Sequence, residues 1–566
     1  MVGRMLSRIG LCSLLAAGCS ESSGPLAPCT AAAPLVDLTA GEYQSADPRP
    51  SGDFVLRAVR GAGCVAFAAN QSGSDIEYLL VPQSATGTPG SKSSFWLRGA
   101  TIAVSSAPAP APVAPSVQLA PAARFHEFLR ESEQQLYLNN PPTIHPFTAP
   151  RFALAPPAVG DVGTFSVCSN LDCTSKTTVT ATAKQVGVHI AIFEDNNKPS
   201  GGLSDADFLS LRYKFDTLLY VRDTLAFGRE SDIDQNGVVI VLMTNAVNQL
   251  VSATECSTTG FVAGYFYGAD LIFGQGNNGE IFYSIVADPA PASLMSCPHS
   301  VAQVNSLVPV TFIHEFQHMI SFGQHYLGRA GAPEVLWLNE GLSHYAEEMG
   351  GRKYLPVPDT ATFCEYVGGD LHNAYQYFSA PQNHFLLATE GIGTLAERGA
   401  MWLFVRYLVD QTAASTSLAD ADAVTRQLDQ TTFTGAANVE HVTGRPFAET
   451  VAHWALANYV SDLPGFPPPP ALPELRYKLW TFRADYPTLS ARCPAPNGIP
   501  GSFPLAPVTG PGDAVNLSDT LRAGSGLYYL AQQSAGAAGF TLLFSDGRGF
   551  ALPDALVPRL NVIRIK

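Results

Sequence analysis

His314-Glu315-Phe316-Gln317-His318 sets two imidazoles four residues apart, with a carboxylate directly after the first. On an α-helix the two histidines leave from one face, so both rings can reach one Zn²⁺ at roughly 2.0–2.1 Å, while the glutamate is free to act as a general base in metal-assisted peptide hydrolysis. With 12 His and 48 Asp plus Glu in 566 residues, such a pattern arises by chance in about two chains in a hundred. A second element therefore decides. A catalytic zinc takes three protein ligands and leaves one position to solvent, which requires a third donor on a separate segment facing the first helix. Trp337-Leu338-Asn339-Glu340-Gly341-Leu342-Ser343-His344-Tyr345-Ala346-Glu347-Glu348 offers Glu340, with His344 one turn later on the same face as a rival ligand.

The two elements together resemble the gluzincin metallopeptidases, which are thermolysin-like in their chemistry. Trp-Leu-Asn-Glu-Gly-Leu-Ser-x-Tyr-Ala-Glu, with Phe282-Tyr283 upstream, is most similar to the hyicolysin-like family of bacterial metalloendopeptidases. The resemblance covers roughly residues 156–465. It implies that His314, His318 and Glu340 hold one zinc ion and that Glu315 is the general base, taking a proton as water attacks a peptide carbonyl. The metzincin arrangement is a poorer match: its Gly and His positions are Ser321 and Gln324 here, and His325 misses by one. Thermolysin-like enzymes carry an Asp four residues after the glutamate ligand, to orient a histidine. This chain has His344 there, and Glu347, two turns beyond Glu340, is the expected substitute. Tyr345, Tyr366, Tyr375, Tyr377, His372 and His384 are all candidates for an oxyanion donor, and spacing does not choose among them. The Gly-x-Met-Glu-Asn signature of zinc aminopeptidases is missing, which favours internal cleavage.

These residues need rigid elements behind them. Val308, Val310, Phe312, Ile313, Met319 and Ile320 make the first helix apolar on nearly every side, as a buried metal helix requires. Upstream, Val186 to Phe193 and Val238 to Met243 read as strands. Ser204 and Asp207 form a capping box, and Phe208, Leu211, Phe215 and Leu218 recur at helical spacing between them. From Val304 to about Tyr459 the periodicity is helical, until the prolines of 464–470 end it. The expected fold class is α+β: a zincin-like peptidase domain over 156–465, with a mixed α/β half and a helical half. It is flanked by a small β-sandwich at 36–104 and a β module at 466–566, with a Pro/Ala-rich linker and short helix over 105–155.

Composition narrows the context. The 33 Lys plus Arg against 48 Asp plus Glu give a net charge of −15, which argues against a nucleic-acid partner. Mean hydropathy of +0.09 argues against a polytopic membrane protein. Arg4 and Arg8, the apolar Leu11–Ala17 and the small residues before Cys19 resemble a bacterial lipoprotein signal over 1–19, followed by an expected flexible tether over 20–35. The expected location is the cell envelope, anchored by a lipid on Cys19, or the outside after ordinary secretion. Export makes disulfides the expected use of Cys29, Cys64, Cys168, Cys173, Cys256, Cys297, Cys364 and Cys493, with the pairing open. Residues 20–150 are also a candidate removable propeptide. Asp232-Ile233-Asp234-Gln235-Asn236-Gly237 begins like an EF-hand loop, but its twelfth position is Met243. An Asx-type turn is the favoured reading, and a calcium site outside the EF-hand class the minority one. The substrate is expected to be a protein or peptide. The alternative from another class is a surface-binding lipoprotein using the same scaffold without catalysis; intact Glu315 argues against it, since a structural zinc has no use for a carboxylate beside an open position.

Overall fold

The computed structural model describes residues 35–47, 63–99, 120–140, 154–291, 293–353, 359–389, 393–467, 471–493 and 498–566. The expected signal peptide, lipid-bearing Cys19, most of the tether, Cys29, the strand-like run at 54–57 and the Ala-Pro segment fall outside the described residues. The molecule is mixed α+β, with three sheets and a large helical body.

A six-stranded sheet forms the upper half of the central body. Its order is Gly264–Phe266, Ile281–Ser284, Val239–Met243, Ile190–Asp195, Lys176–Val186 and Val162–Cys168. The middle three strands are parallel, and Gly264–Phe266 is an antiparallel edge. Ile190–Asp195 is buried at every residue: Ile190–Phe193 supply the apolar run, Glu194 pairs with Lys184, and Asp195 accepts from Thr244 Oγ1. The expected capping box at Ser204 and Asp207 opens the helix Asp205–Tyr213. A π-helical turn, Lys214–Leu219, then adds one residue to the helical repeat, so the buried face passes to Leu219 while Leu218 is only partly covered.

Below the sheet lie Val301–Phe322, Leu336–Arg352, Thr360–Ser379, Leu395–Thr412 and Phe447–Val460. Ser300 and Gln303 cap the first of these reciprocally, and the helix is buried without a break from Phe312 to Phe322. Gly341 lets Leu395–Thr412 come close: a Cβ there would stand 2.8 Å from the Met401 carbonyl oxygen and 2.8 Å from Val405 Cγ2.

Two of the expected boundaries need correction. The flanking β regions are one sandwich, because strands from both regions alternate within two five-stranded sheets. One runs Leu35–Val36, Cys64–Phe67, Phe540–Asp546, Lys92–Gly99, Asn516–Arg522; the other runs Val508–Pro511, Tyr529–Gln533, Ile76–Ser84, Pro558–Arg564, Tyr43–Ala46. Val36, Phe67, Leu80, Phe95, Leu542 and Val562 share its core. The helical body also continues past 465. Trp480, Phe482 and Tyr486 are buried in the same core as the helix Val301–Phe322, because their rings fill the space beside Trp402 and Phe378. Cys168–Cys173, Cys256–Cys297 and Cys364–Cys493 are paired at Cα separations of 4.8, 5.8 and 5.5 Å, and Cys64 is also disulfide-bonded. Among the described residues no helix is long and apolar enough to cross a membrane.

Candidate metal centre

His314 and His318 project from one face of Val301–Phe322, and Glu340 comes from the second turn of Leu336–Arg352, which packs against it. The two Nε2 atoms are 3.2 Å apart; Glu340 Oε2 is 3.6 Å from His314 Nε2, and Glu340 Oε1 is 3.8 Å from His318 Nε2. Ligands at 2.0–2.2 Å from a tetrahedral metal stand about 3.3–3.5 Å from one another, so the three donors are already spaced for one ion. His314, Glu315, His318 and Glu340 are 5, 0, 0 and 2% exposed. Both Glu340 oxygens lack a hydrogen-bond partner at that depth, an arrangement a cation would relieve.

The histidines are held from behind. His318 Nδ1 is 2.9 Å from Asn339 Oδ1, and His314 Nδ1 is 2.6 Å from Glu347 Oε1. In both rings Nδ1–H donates outward, which leaves the Nε2 lone pair facing the site. Burial alone would raise the Glu340 carboxyl, but Arg398, 3.3 Å away, and the two histidines hold it well below the usual carboxylate range. It is ionised, as a ligand must be.

His344 belongs to a second arrangement with His314 and Glu347. There Glu347 Oε1 lies 2.6 Å from His314 Nδ1 and 3.2 Å from His344 Nδ1, although neither ring nitrogen of His344 is in hydrogen-bond geometry. Asp370, on Thr360–Ser379, is 2.9 Å from the same His344 nitrogen. Burial would lower the His344 imidazole, but Glu347 and Asp370 outweigh it and raise it to about 10. The His314, His318, Glu340 group is the better candidate, because it turns two ring nitrogens and a carboxylate to one point, whereas His344 faces two carboxylates that belong to its own ion-pair cluster. Changing Glu347 to Ala is expected to weaken zinc affinity by about 10–100-fold, read by competition with a chromophoric chelator. Unchanged affinity would show that this carboxylate does not orient His314.

Glu315 has a distinct setting. Its Oε2 accepts a 3.1 Å hydrogen bond from the Phe266 N–H on the edge strand, and burial pushes its carboxyl up. His126 Nδ1 stands 3.3 Å from the other oxygen, outside hydrogen-bond geometry. His126 sits on the helix Pro121–Asn139, which buries Phe125 and Leu129 and lies across the edge strand, with Phe125 edge-on to Tyr265 at 5.0 Å. Sequence reasoning treated this helix as a connector and missed His126. Asn339 lay within the second motif, whereas Asp370 and Arg398 carry no local signal.

No family model matches the chain, and no curated protein sequence matches it either.

The oxyanion candidates are engaged elsewhere or exposed. Tyr345 Oη accepts from Arg406, Tyr377 Oη meets Ser525 Oγ at 3.3 Å, His384 faces Glu397, and His372 is on the surface. Tyr375 lies edge-on to Tyr486, and Tyr366 packs under Gly350. The cationic side chain nearest the candidate ligands is instead Arg398.

Proposed function

We propose that the chain is an exported zinc endopeptidase with a zincin-like central body, cleaving internal peptide bonds of proteins or peptides. The observation that carries this reading is the convergence of two imidazole nitrogens and one ionised carboxylate, whose oxygens accept no hydrogen bond, at ligand spacing, with a second buried carboxylate next to the first histidine. Zinc bound there would polarise the peptide carbonyl and make its water a nucleophile at neutral pH. Glu315 has what a base needs: a fixed position, through Phe266 N–H, and a carboxyl raised by burial, which makes it more willing to take a proton. Disulfides across the body fit an oxidising compartment, and a lipid on Cys19 would hold the protein at a membrane surface.

The helix Pro121–Asn139 brings His126 to 3.3 Å from Glu315, where an extended substrate would have to lie, so in this reading the helix moves to admit one. Loss of residues 20–150 as one propeptide would take strands 35–99 out of both sandwich sheets. Displacement or excision of residues 120–140 alone leaves the sheets whole, and is the form of the propeptide reading that the fold supports.

The test is digestion of a denatured protein or peptide library by the purified chain with stoichiometric zinc, then with chelator, then with zinc restored. We expect internal cuts that follow the zinc, and N-terminal sequencing of the active fraction to find cleavage beside the Pro121–Asn139 helix. A fully zinc-loaded protein that cuts nothing, with or without that helix, would favour the non-catalytic scaffold.

A further inference from the structure

The turn Asp232–Gly237 leads into the strand Val239–Met243, and Glu280 immediately precedes its parallel neighbour Ile281–Ser284, with Ile281 opposite Ile240. Turn and glutamate therefore meet at one end of the central sheet. Asp232, Asp234 and Glu280 bring carboxylate oxygens within 4.8 Å of one another. Asp234 and Glu280 are only 3 and 1% exposed.

Hydrogen bonds of the expected Asx turn are present. Asp234 Oδ1 accepts from Asn236 N–H and Asp232 Oδ1 from Gly237 N–H, each at 3.1 Å. They do not account for Glu280. Its Oε1 accepts from Ser231 Oγ at 2.5 Å and from Ile233 N–H at 2.9 Å, but its Oε2 is buried without a hydrogen-bond partner. Among the described residues no Lys or Arg pairs with any of the three acids. Three carboxylates facing one another with an orphaned oxygen and no counter-charge are costly in a nearly dry environment.

We infer that Asp232, Asp234 and Glu280 bind a calcium ion that ties the turn to the neighbouring strand. All the donors are hard oxygens, which excludes a preference for a thiolate- or imidazole-seeking metal. Calcium accepts six to eight oxygens in irregular arrangements, whereas magnesium demands a near-ideal octahedron that this mixture of turn and strand end does not present. Glu280 does from across the sheet what the absent twelfth-position glutamate would do in an EF-hand. Burial raises Glu280 to about 8 and Asp234 to about 6 in the cation-free protein, the direction expected when a counter-ion is wanting. This inference is independent of the peptidase reading.

The experiment is equilibrium dialysis of the zinc-loaded full chain against calcium, with magnesium in excess, alongside thermal unfolding. One calcium per chain is expected, with Tm raised by about 2 °C at a hundredfold excess over Kd. Glu280→Gln should weaken binding at least about tenfold. It should also leave the calcium-free protein as stable as the parent or more so, because Gln keeps the Ser231 and Ile233 hydrogen bonds and, unlike a buried carboxyl, never ionises. A purely structural Glu280 would make the calcium-free variant less stable. Absence of bound calcium in the parent, equal affinity in Glu280→Gln, or displacement by magnesium would each overturn the inference.

Discussion

Glu315→Gln is expected to lower kcat/KM for peptide hydrolysis by about 10²–10⁴-fold while zinc content stays at one per chain. The amide is nearly isosteric, and its oxygen can still accept the Phe266 N–H bond that fixes the side chain. His314, His318 and Glu340 keep their supports in Asn339, Glu347 and Arg398. The variant loses only the ability to take a proton. Metal analysis and peptide kinetics on the same preparation separate this from loss of the site. A zinc-loaded variant with undiminished turnover would remove Glu315 from the mechanism and, with it, the proposed chemistry.

A second large effect concerns stability. Glu348, two turns beyond Glu340, is fully buried and gathers cationic and N–H donors from four positions: Arg352 Nε at 2.6 Å, Trp480 Nε1 at 2.9 Å, Trp402 Nε1 at 3.1 Å, and Arg406 at 3.7 Å. The arginines hold its carboxyl low against the upward push of burial. Glu348→Ala removes the centre of this network and leaves Arg406 with Asp410 as its remaining carboxylate partner, so we expect a loss of about 3–5 kcal/mol in urea unfolding. The neighbouring Glu347→Ala should act chiefly on metal affinity. If the two variants unfold at the same urea concentration, Glu348 is not the tie that holds the Leu336–Arg352 and Leu395–Thr412 helices to the Trp480 segment.

What could be read from the sequence was what repeats locally. The helix Val301–Phe322 announced itself through histidine spacing and an apolar surround, and the strand Val239–Met243 through β-branched residues. The short helix expected within 105–155 is also present, over Pro121–Asn139. Long-range partners were not legible. Asp370 reaches His344 from another helix, Arg398 reaches Glu340 from a third, and His126 arrives from a segment that looked like a connector. The π-helical turn at 214–219 shifted a correctly periodic pattern by one residue, since period 3.6 cannot reveal an inserted position. The merging of two β regions escaped for a related reason: alternation specifies that a strand has an inner face, but not which distant strand will lie beside it.

That merging has a bearing on how the molecule is made. Strand Ile76–Ser84 lies between Tyr529–Gln533 and Pro558–Arg564, and Lys92–Gly99 lies between Asn516–Arg522 and Phe540–Asp546, so each gains its neighbours only after more than four hundred intervening residues have emerged. During synthesis these early strands present bare, apolar edges with nothing of their own to join. Completion of the protein is thus a clasp closed last, and a nascent chain halted before residue 500 would be a sticky intermediate, dependent on holding factors until its final segment arrives.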